Sequence, residues 1–299
     1  MPVTPYRYRA PDEDSGRWAG FQFRPGDIVI STRSKSGTTW MQMICALLVF
    51  KTPDLPHPLT EISPWLDWTG APVQSLFAHL GAQRHRRFFK THTPLDGVPI
   101  DPRASYIVVA RHPLDAAVSL YHQGDNIDRE RLRELTGASA PDPDEPEKTR
   151  EPVRDWLLDW IAEKADPREH LDSLPGFMHH LADAWSRREE SNVLLVHYED
   201  LSADLDAKMG RVADWLGVDL PAAERSELVR AASFETMKRN SAALAPNQGG
   251  IFKDTGRFFR RGRSGSGTDL LTAGELDEYR ERCAALAPAG LLEWLHRGR

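Results

Sequence analysis

The stretch that most constrains the fold runs from residue 27 to 50, DIVISTRSKSGTTWMQMICALLVF. Asp27 to Ser31 is rich in β-branched residues, a turn follows at Ser36 and Gly37, and Trp40, Ile44, Leu47 and Leu48 then recur at helical spacing. The pattern predicts strand, tight loop and helix. A loop closing on a helix start aims several backbone N–H groups and the positive end of the helix dipole outward. Ser36, Thr38 and Thr39 add hydroxyl donors and Lys35 adds a charge, so this turn suits phosphate. A capped helix start without a ligand is the plainer reading of SGTT by itself. The Lys before it and the Trp after it favour the functional one.

At 299 residues the chain is long enough for one large α/β domain or two smaller ones, each with a substantial core. One domain is the preferred reading. A formal charge of −6 gives no overall attraction for nucleic acid. The first sixteen residues lack the apolar core of a secretion signal, and no run approaches the ~18 apolar residues of a membrane span, so the expected location is cytoplasmic. Cys45 and Cys283 lie far apart without metal-ligand spacing, so neither a disulfide framework nor a zinc site is expected. Cys45 falls inside the apolar helix and reads as a small core residue.

Residues 1 to 24 read as a surface segment anchored by Trp18 and Phe21, with no evident chemistry. The segment 51–68 carries four prolines, which forbid a long helix, and Trp65, Leu66 and Trp68 in it need cover. It is either a loop packed on the core or an apolar wall of a substrate cleft. In RRFFKTHTPLDG (86–97) a short strand ends at Lys90, Thr91 and His92, and in SYIVVARHPLDAAVSLYHQ (105–123) a buried strand ends at Arg111 before an amphipathic helix carrying Ser119. Open parallel sheets bind ligands at the carboxyl ends of their strands, so these groups are placed to share one crevice with the phosphate loop. A structural His, a solvated Arg and a neutral Ser are the plain alternatives.

From Asn126 to Pro175 charges and prolines accumulate, including APDPDEPEK (140–148), and the segment reads as a mobile insertion or lid. Its tryptophan stretch, with Trp156 and Trp160, is either core packing or a cover over an apolar acceptor. A helix and the strand Val193 to His197 follow, ending at Tyr198, Glu199 and Asp200. The acidic pair invites a magnesium reading; capping and bracing of the next helix is the alternative. Phe234 lies in ASFETMKRN, and Lys253, Arg257, Arg260, Arg261 and Arg263 make 253–267 basic, either as a solvated face or as an anion site.

The usual nucleotide loop, GxxxxGK followed by Ser or Thr, puts Lys after the last glycine, whereas Lys35 precedes Gly37. KSGTTW instead resembles the 5′-phosphosulfate loop of the soluble sulfotransferases that use 3′-phosphoadenosine 5′-phosphosulfate (PAPS). KTHTPL resembles that family's KTHLP, RHPLDAAVSLY its RNPKDxAVSxY, VHYEDL its YEDL, ASFETMKRN its TSFxxMKxN, and FFRRG its F-R-K-G element. The resemblance covers residues 27 to 262. His112 stands where Asn is usual, Ala232 where Thr is usual, and GSGTD replaces the GDWK continuation. The family's short dimerisation motif is not matched by TAGELDE, which leaves the oligomeric state open.

The resemblance implies a three-layer α/β/α fold with a central parallel sheet, similar to the P-loop nucleotide hydrolases. It implies transfer of a sulfuryl group from PAPS to an acceptor hydroxyl, releasing PAP without a metal. His92 would be the general base, with a pKa near neutrality. Lys35 would serve the departing phosphate and Lys90 the transferring group. Ser36, Gly37, Thr38 and Thr39 would hold the 5′ end, Arg111, Ser119, Arg260, Arg261 and Gly262 the 3′-phosphate, and Trp40, Tyr198 and Phe234 the adenine. SPWLD and the ending LAPAGLLEWLHRGR are similar to bacterial members, some of which sulfate glycolipids; a hydroxylated natural product or phenol is the other acceptor class. A P-loop kinase and a non-catalytic PAP- or PAPS-binding protein are the competing functions.

Overall fold

Four short apolar runs build the sheet: β1 (Ile28–Ser31), β2 (Phe88–Thr91), β3 (Ser105–Ala110) and β4 (Val193–His197). They are all parallel, in the order β2-β1-β3-β4. The computed structural model describes residues 4–139, 150–262 and 264–297; the acidic run 140–148 and Arg263 lie outside them. Alternation along the strands divides the interior in two. Val29, Phe89, Tyr106 and Val108 face one core, with the helix Leu174–Ser186 and the C-terminal helices packed on them. Ile28, Ile30, Phe88, Ile107 and Val109 face the other, covered by α1 (Thr38–Phe50) and the helix Leu205–Trp215. Parallel strands buried on both faces need helices on each side, so the three-layer order follows.

Because β1 lies between β2 and β3, the chain leaves it in one direction and later returns on the other side. The carboxyl end of β1 is therefore the switch point where a crevice opens, and residues 32–37 sit in it. At the opposite end of the same strands, Arg87 donates through Nε and Nη2 to the two oxygens of Asp27 at 2.8 and 2.5 Å. Both side chains are buried, and Asp27 also accepts from the Arg24 backbone at 2.8 Å.

The N-terminal segment is anchored by Trp18 and Phe21, whose rings pack on Phe89. The Trp18 indole N–H donates to buried Asp67 at 2.5 Å. Within 126–175, the helix Val153–Ala162 buries Leu157, Trp160 and Ile161 in the same core as β3, so its tryptophans are packing residues. Glu199 and Asp200 do not cap helices. His197 caps the helix Tyr198–Ala203 and Asp204 the next, while Asp200 pairs with Lys208 and Arg297. Cys45 and Cys283 are buried and unpaired.

Removing one partner of a buried ion pair leaves the other charge desolvated. Asp27→Ala is expected to destabilise the protein by about 3–5 kcal/mol, read as a lowered urea midpoint with an unchanged slope.

Candidate active site

The loop after β1 is held in an uncommon shape. Lys35 has a φ of +64° and Gly37 of +106°, and a Cβ on Gly37 would lie 3.0 Å from the Tyr198 ring. A left-handed Lys stores strain; here it sends the side chain across the crevice. Its Nζ donates to Gln123 Oε1 at 2.6 Å and sits 3.9 Å from the Phe258 ring centroid.

Around this loop the sheet gathers the residues singled out in sequence. Lys35, Gly37, Thr38, Thr39, Trp40, Lys90, His92, Arg111, Ser119, Tyr198, Phe234, Arg260, Arg261 and Gly262 line one cavity of about 260 Å³. Ser36 is the exception. It is buried beneath the loop, and its Oγ has no hydrogen-bond partner among the described residues.

One half of the cavity is cationic. The Arg111 guanidinium lies 4.6 Å from the Tyr198 ring centroid and donates to the Lys35 carbonyl at 3.2 Å. Burial first, then repulsion from Arg111, Arg260 and Lys90, lowers the Lys35 pKa to about 7. Arg260 is also lowered, by burial and then by Arg261 and Arg111, and its Nε is buried without a partner among the described residues. Trp40 packs edge-on to Tyr198 at 5.1 Å and donates to the Ala232 carbonyl at 2.8 Å. Gly262, at φ +63°, lets the backbone pass against Phe234, whose ring a Cβ would meet at 2.4 Å.

The other half holds His92 and Lys90. His92 Nδ1 lies 2.6 Å from the Thr32 carbonyl oxygen, a contact that requires a proton on Nδ1 and leaves Nε2 as the basic nitrogen. Burial, with Lys90 and Arg33 adding repulsion, pushes the His92 pKa well below 6.5, which corrects the expectation of a value near neutrality. The ring stands edge-on to Trp65 at 4.9 Å. Burial lowers the Lys90 pKa to about 8, against the pull of Asp12, Glu13 and Asp67.

Several neighbours escaped the sequence. Buried Arg33 donates to the His92 carbonyl and to Asp172 at 2.5 Å, and lies 3.8 Å from Glu13. Asp12 and Asp172 line the cavity, so the N-terminal segment does take part in the site, contrary to its plain appearance. No local pattern marks them, because only tertiary packing brings them here. Gln123 was legible: it lies four residues beyond Ser119, on the same helical face. Asp115 accepts from the backbone N–H groups of Gly265 and Gly267 at 2.9 and 3.0 Å. A Cβ on Gly267 would come within 2.5 Å of Leu114, so the glycines that replace GDWK let this chain press onto the helix Pro113–Gly124. Among the described residues, no group of three or more His, Cys, Asp or Glu side chains is placed to hold a metal ion.

Residues 25–297 match the model of the sulfotransferase domain. The glycolipid sulfotransferase of Mycobacterium bovis (strain BCG / Pasteur 1173P2) is 41% identical over 309 residues, covering 98% of this chain and 94% of that protein. The chain belongs to the sulfotransferase family. The glycolipid sulfotransferase of Mycobacterium tuberculosis (strain ATCC 25177 / H37Ra) is likewise 41% identical, with the same coverage. Among solved structures, retinol dehydratase in complex with retinol and PAP superposes with a TM-score of 0.68 at 21% identity, covering 91% of this chain and 86% of that one. Mouse sulfotransferase SULT7A1 complexed with PAP gives 0.64 at 21% identity, covering 95% and 89%. These two likenesses show the fold, the three-layer sulfotransferase fold with a central parallel sheet. The protein is a PAPS-dependent sulfotransferase, moving a sulfuryl group from PAPS to an acceptor hydroxyl and releasing PAP. No helix among the described residues is long and apolar enough to cross a membrane.

The residues fit such a co-substrate. Buried cations repel one another, Arg260 Nε has no partner among the described residues, and Gly37 and Gly262 leave room where a Cβ would intrude. Two outcomes are expected. Bound phosphate should restore the proton to Lys35, so PAP affinity holds below about pH 7 and weakens as pH rises above it, with proton uptake near pH 8 in calorimetry. Lys35→Arg, always charged, should remove that uptake. Gly262→Ala should weaken PAP binding about tenfold or more, through strain and the Phe234 clash.

Proposed function

We propose that this sulfotransferase acts on a hydroxyl of a glycolipid, with His92 as the general base. The observation that carries the assignment of roles is the meeting, at the carboxyl ends of β1, β2 and β3, of a repelling cation cluster with a neutral His whose basic nitrogen is set by the Thr32 carbonyl. Thr38, Thr39 and the loop backbone around Ser36 and Gly37 bind the 5′ end of the nucleotide. Arg111, Ser119, Arg260, Arg261 and Gly262 bind its 3′-phosphate, and Trp40, Tyr198 and Phe234 enclose the adenine.

When bound, the co-substrate supplies an electrophilic sulfuryl group. His92 Nε2 takes the acceptor proton as the acceptor oxygen attacks sulfur. Lys35, charged once phosphate lies beside it, stabilises negative charge on the leaving phosphate. Lys90, between His92 and the acidic wall, steadies the transferring group. Most of the rate enhancement then comes from positioning and electrostatics. The 41% identity to two glycolipid sulfotransferases supports the acceptor class, as do Trp65 and Trp68 beside His92. We read the chain as one domain. In it the described part of 126–175 supplies Ile127 and Leu132 to the cavity wall. A cytoplasmic location accords with two unpaired cysteines.

His92→Ala is expected to cut turnover by ~10²-fold or more with PAP affinity unchanged; turnover at the wild-type rate would remove His92 from the mechanism. With the native protein, the acid limb of kcat/KM for PAPS should lie below pH 6.5, where His92 gains its proton. The alkaline decline should begin near pH 7, where Lys35 loses its own.

A further inference from the structure

A second cavity of about 210 Å³ adjoins the first. Trp65 and Trp68 line both. Their ring centroids are 5.3 Å apart and the planes are inclined by 31°, so the pair forms a shared partition. The second cavity is otherwise walled by Pro64, Ala71, Leu76 and Leu135 and by the backbone at Gly70 and Gly249; among the described residues no charged side chain lines it. At Gly249 a Cβ would lie 2.5 Å from Leu135, so glycine keeps this wall close to the leucine. The lining of the first cavity includes the polar side chains Asp12, Lys90, His92 and Asp172.

We propose that the acceptor site is bipartite, with a polyhydroxylated head bound against Asp12 beside His92 and its hydrocarbon chain seated in the apolar cavity across the Trp65–Trp68 partition. This deepens the glycolipid reading and rests on it. An apolar pocket that shares a wall with the reacting site selects alkyl groups by area removed from water. Asp12 suits the head. Burial and the nearby Asp172 push its pKa above the usual carboxylate value, as for an acceptor short of donors. A carboxylate with two oxygens can take two neighbouring hydroxyls of a sugar, while the indole ring of Trp65 offers an apolar surface to the sugar's carbon face. The length of the hydrocarbon and the hydroxyl pattern are thus recognised by separate residues.

The test is sulfation of a series of n-alkyl glycosides, from methyl to dodecyl, with PAPS as donor. In the native protein kcat/KM should rise with chain length, by up to about fourfold per buried methylene, and level off once the cavity is filled. Leu135→Glu should flatten that rise. Asp12→Asn should lower kcat/KM about tenfold at every chain length and leave the slope intact. Calorimetric PAP binding reports that each variant is folded. A flat series in the native protein, a slope untouched by Leu135→Glu, or an Asp12→Asn variant matching the native protein would overturn the proposal. Absence of PAP binding by the native protein would instead overturn the nucleotide reading beneath it.

Discussion

Mutual repulsion among buried cations is the constraint on which the site depends. Lys35, Arg111, Arg260 and Lys90 are close enough, and dry enough, that Lys35 is driven to about 7. Such a cluster is costly in the free protein, because desolvation and like charge act in the same direction. It persists because rigid elements hold it: Arg111 follows β3, Lys35 follows β1, and Arg260 precedes a glycine segment that Asp115 fixes to a helix N-terminus. The energy a polyanion recovers on binding is therefore already stored in the scaffold as preorganisation.

Across the cavity the sign reverses. Glu13 and Asp67 are buried and raised to about 8 and about 6 by desolvation, while Asp12 and Asp172 face the cavity. Arg33 ties this wall to the loop after β1 through Asp172 and to the proposed base through the His92 carbonyl. Lys90 stands between the two regions, lowered by burial and supported by the acids. His92 lies on the same boundary. Cations and burial keep it neutral in the free protein, and an anionic co-substrate would offset those cations and raise its basicity when the proton must be taken.

Much of this arrangement follows from local sequence. The run 27–50 determined strand, loop and helix because a run of β-branched residues, a glycine and helical spacing act over a few residues. The positions at strand ends, Lys90, His92, Arg111 and Tyr198, were legible for the same reason: a parallel strand buried on both faces stays apolar until it reaches the crevice. Ser36 is buried rather than lining the cavity, since a loop pattern specifies donors but not which of them turns inward.

Tertiary structure alone decided the rest. Asp12, Glu13, Asp67 and Asp172 meet near Arg33 and Lys90 because the N-terminal segment, the proline-rich loop and the approach to Leu174–Ser186 converge on one edge of the sheet. The neutral state of His92 was equally beyond the sequence, since a pKa depends on solvent exclusion and on charges brought together from distant residues. The sequence by itself determined which groups could bind phosphate and take a proton, because those are properties of side chains and short turns. The folded chain decided which of them are dry, which repel and which face an acceptor, because the dielectric and the distances between charges exist only once the elements have packed.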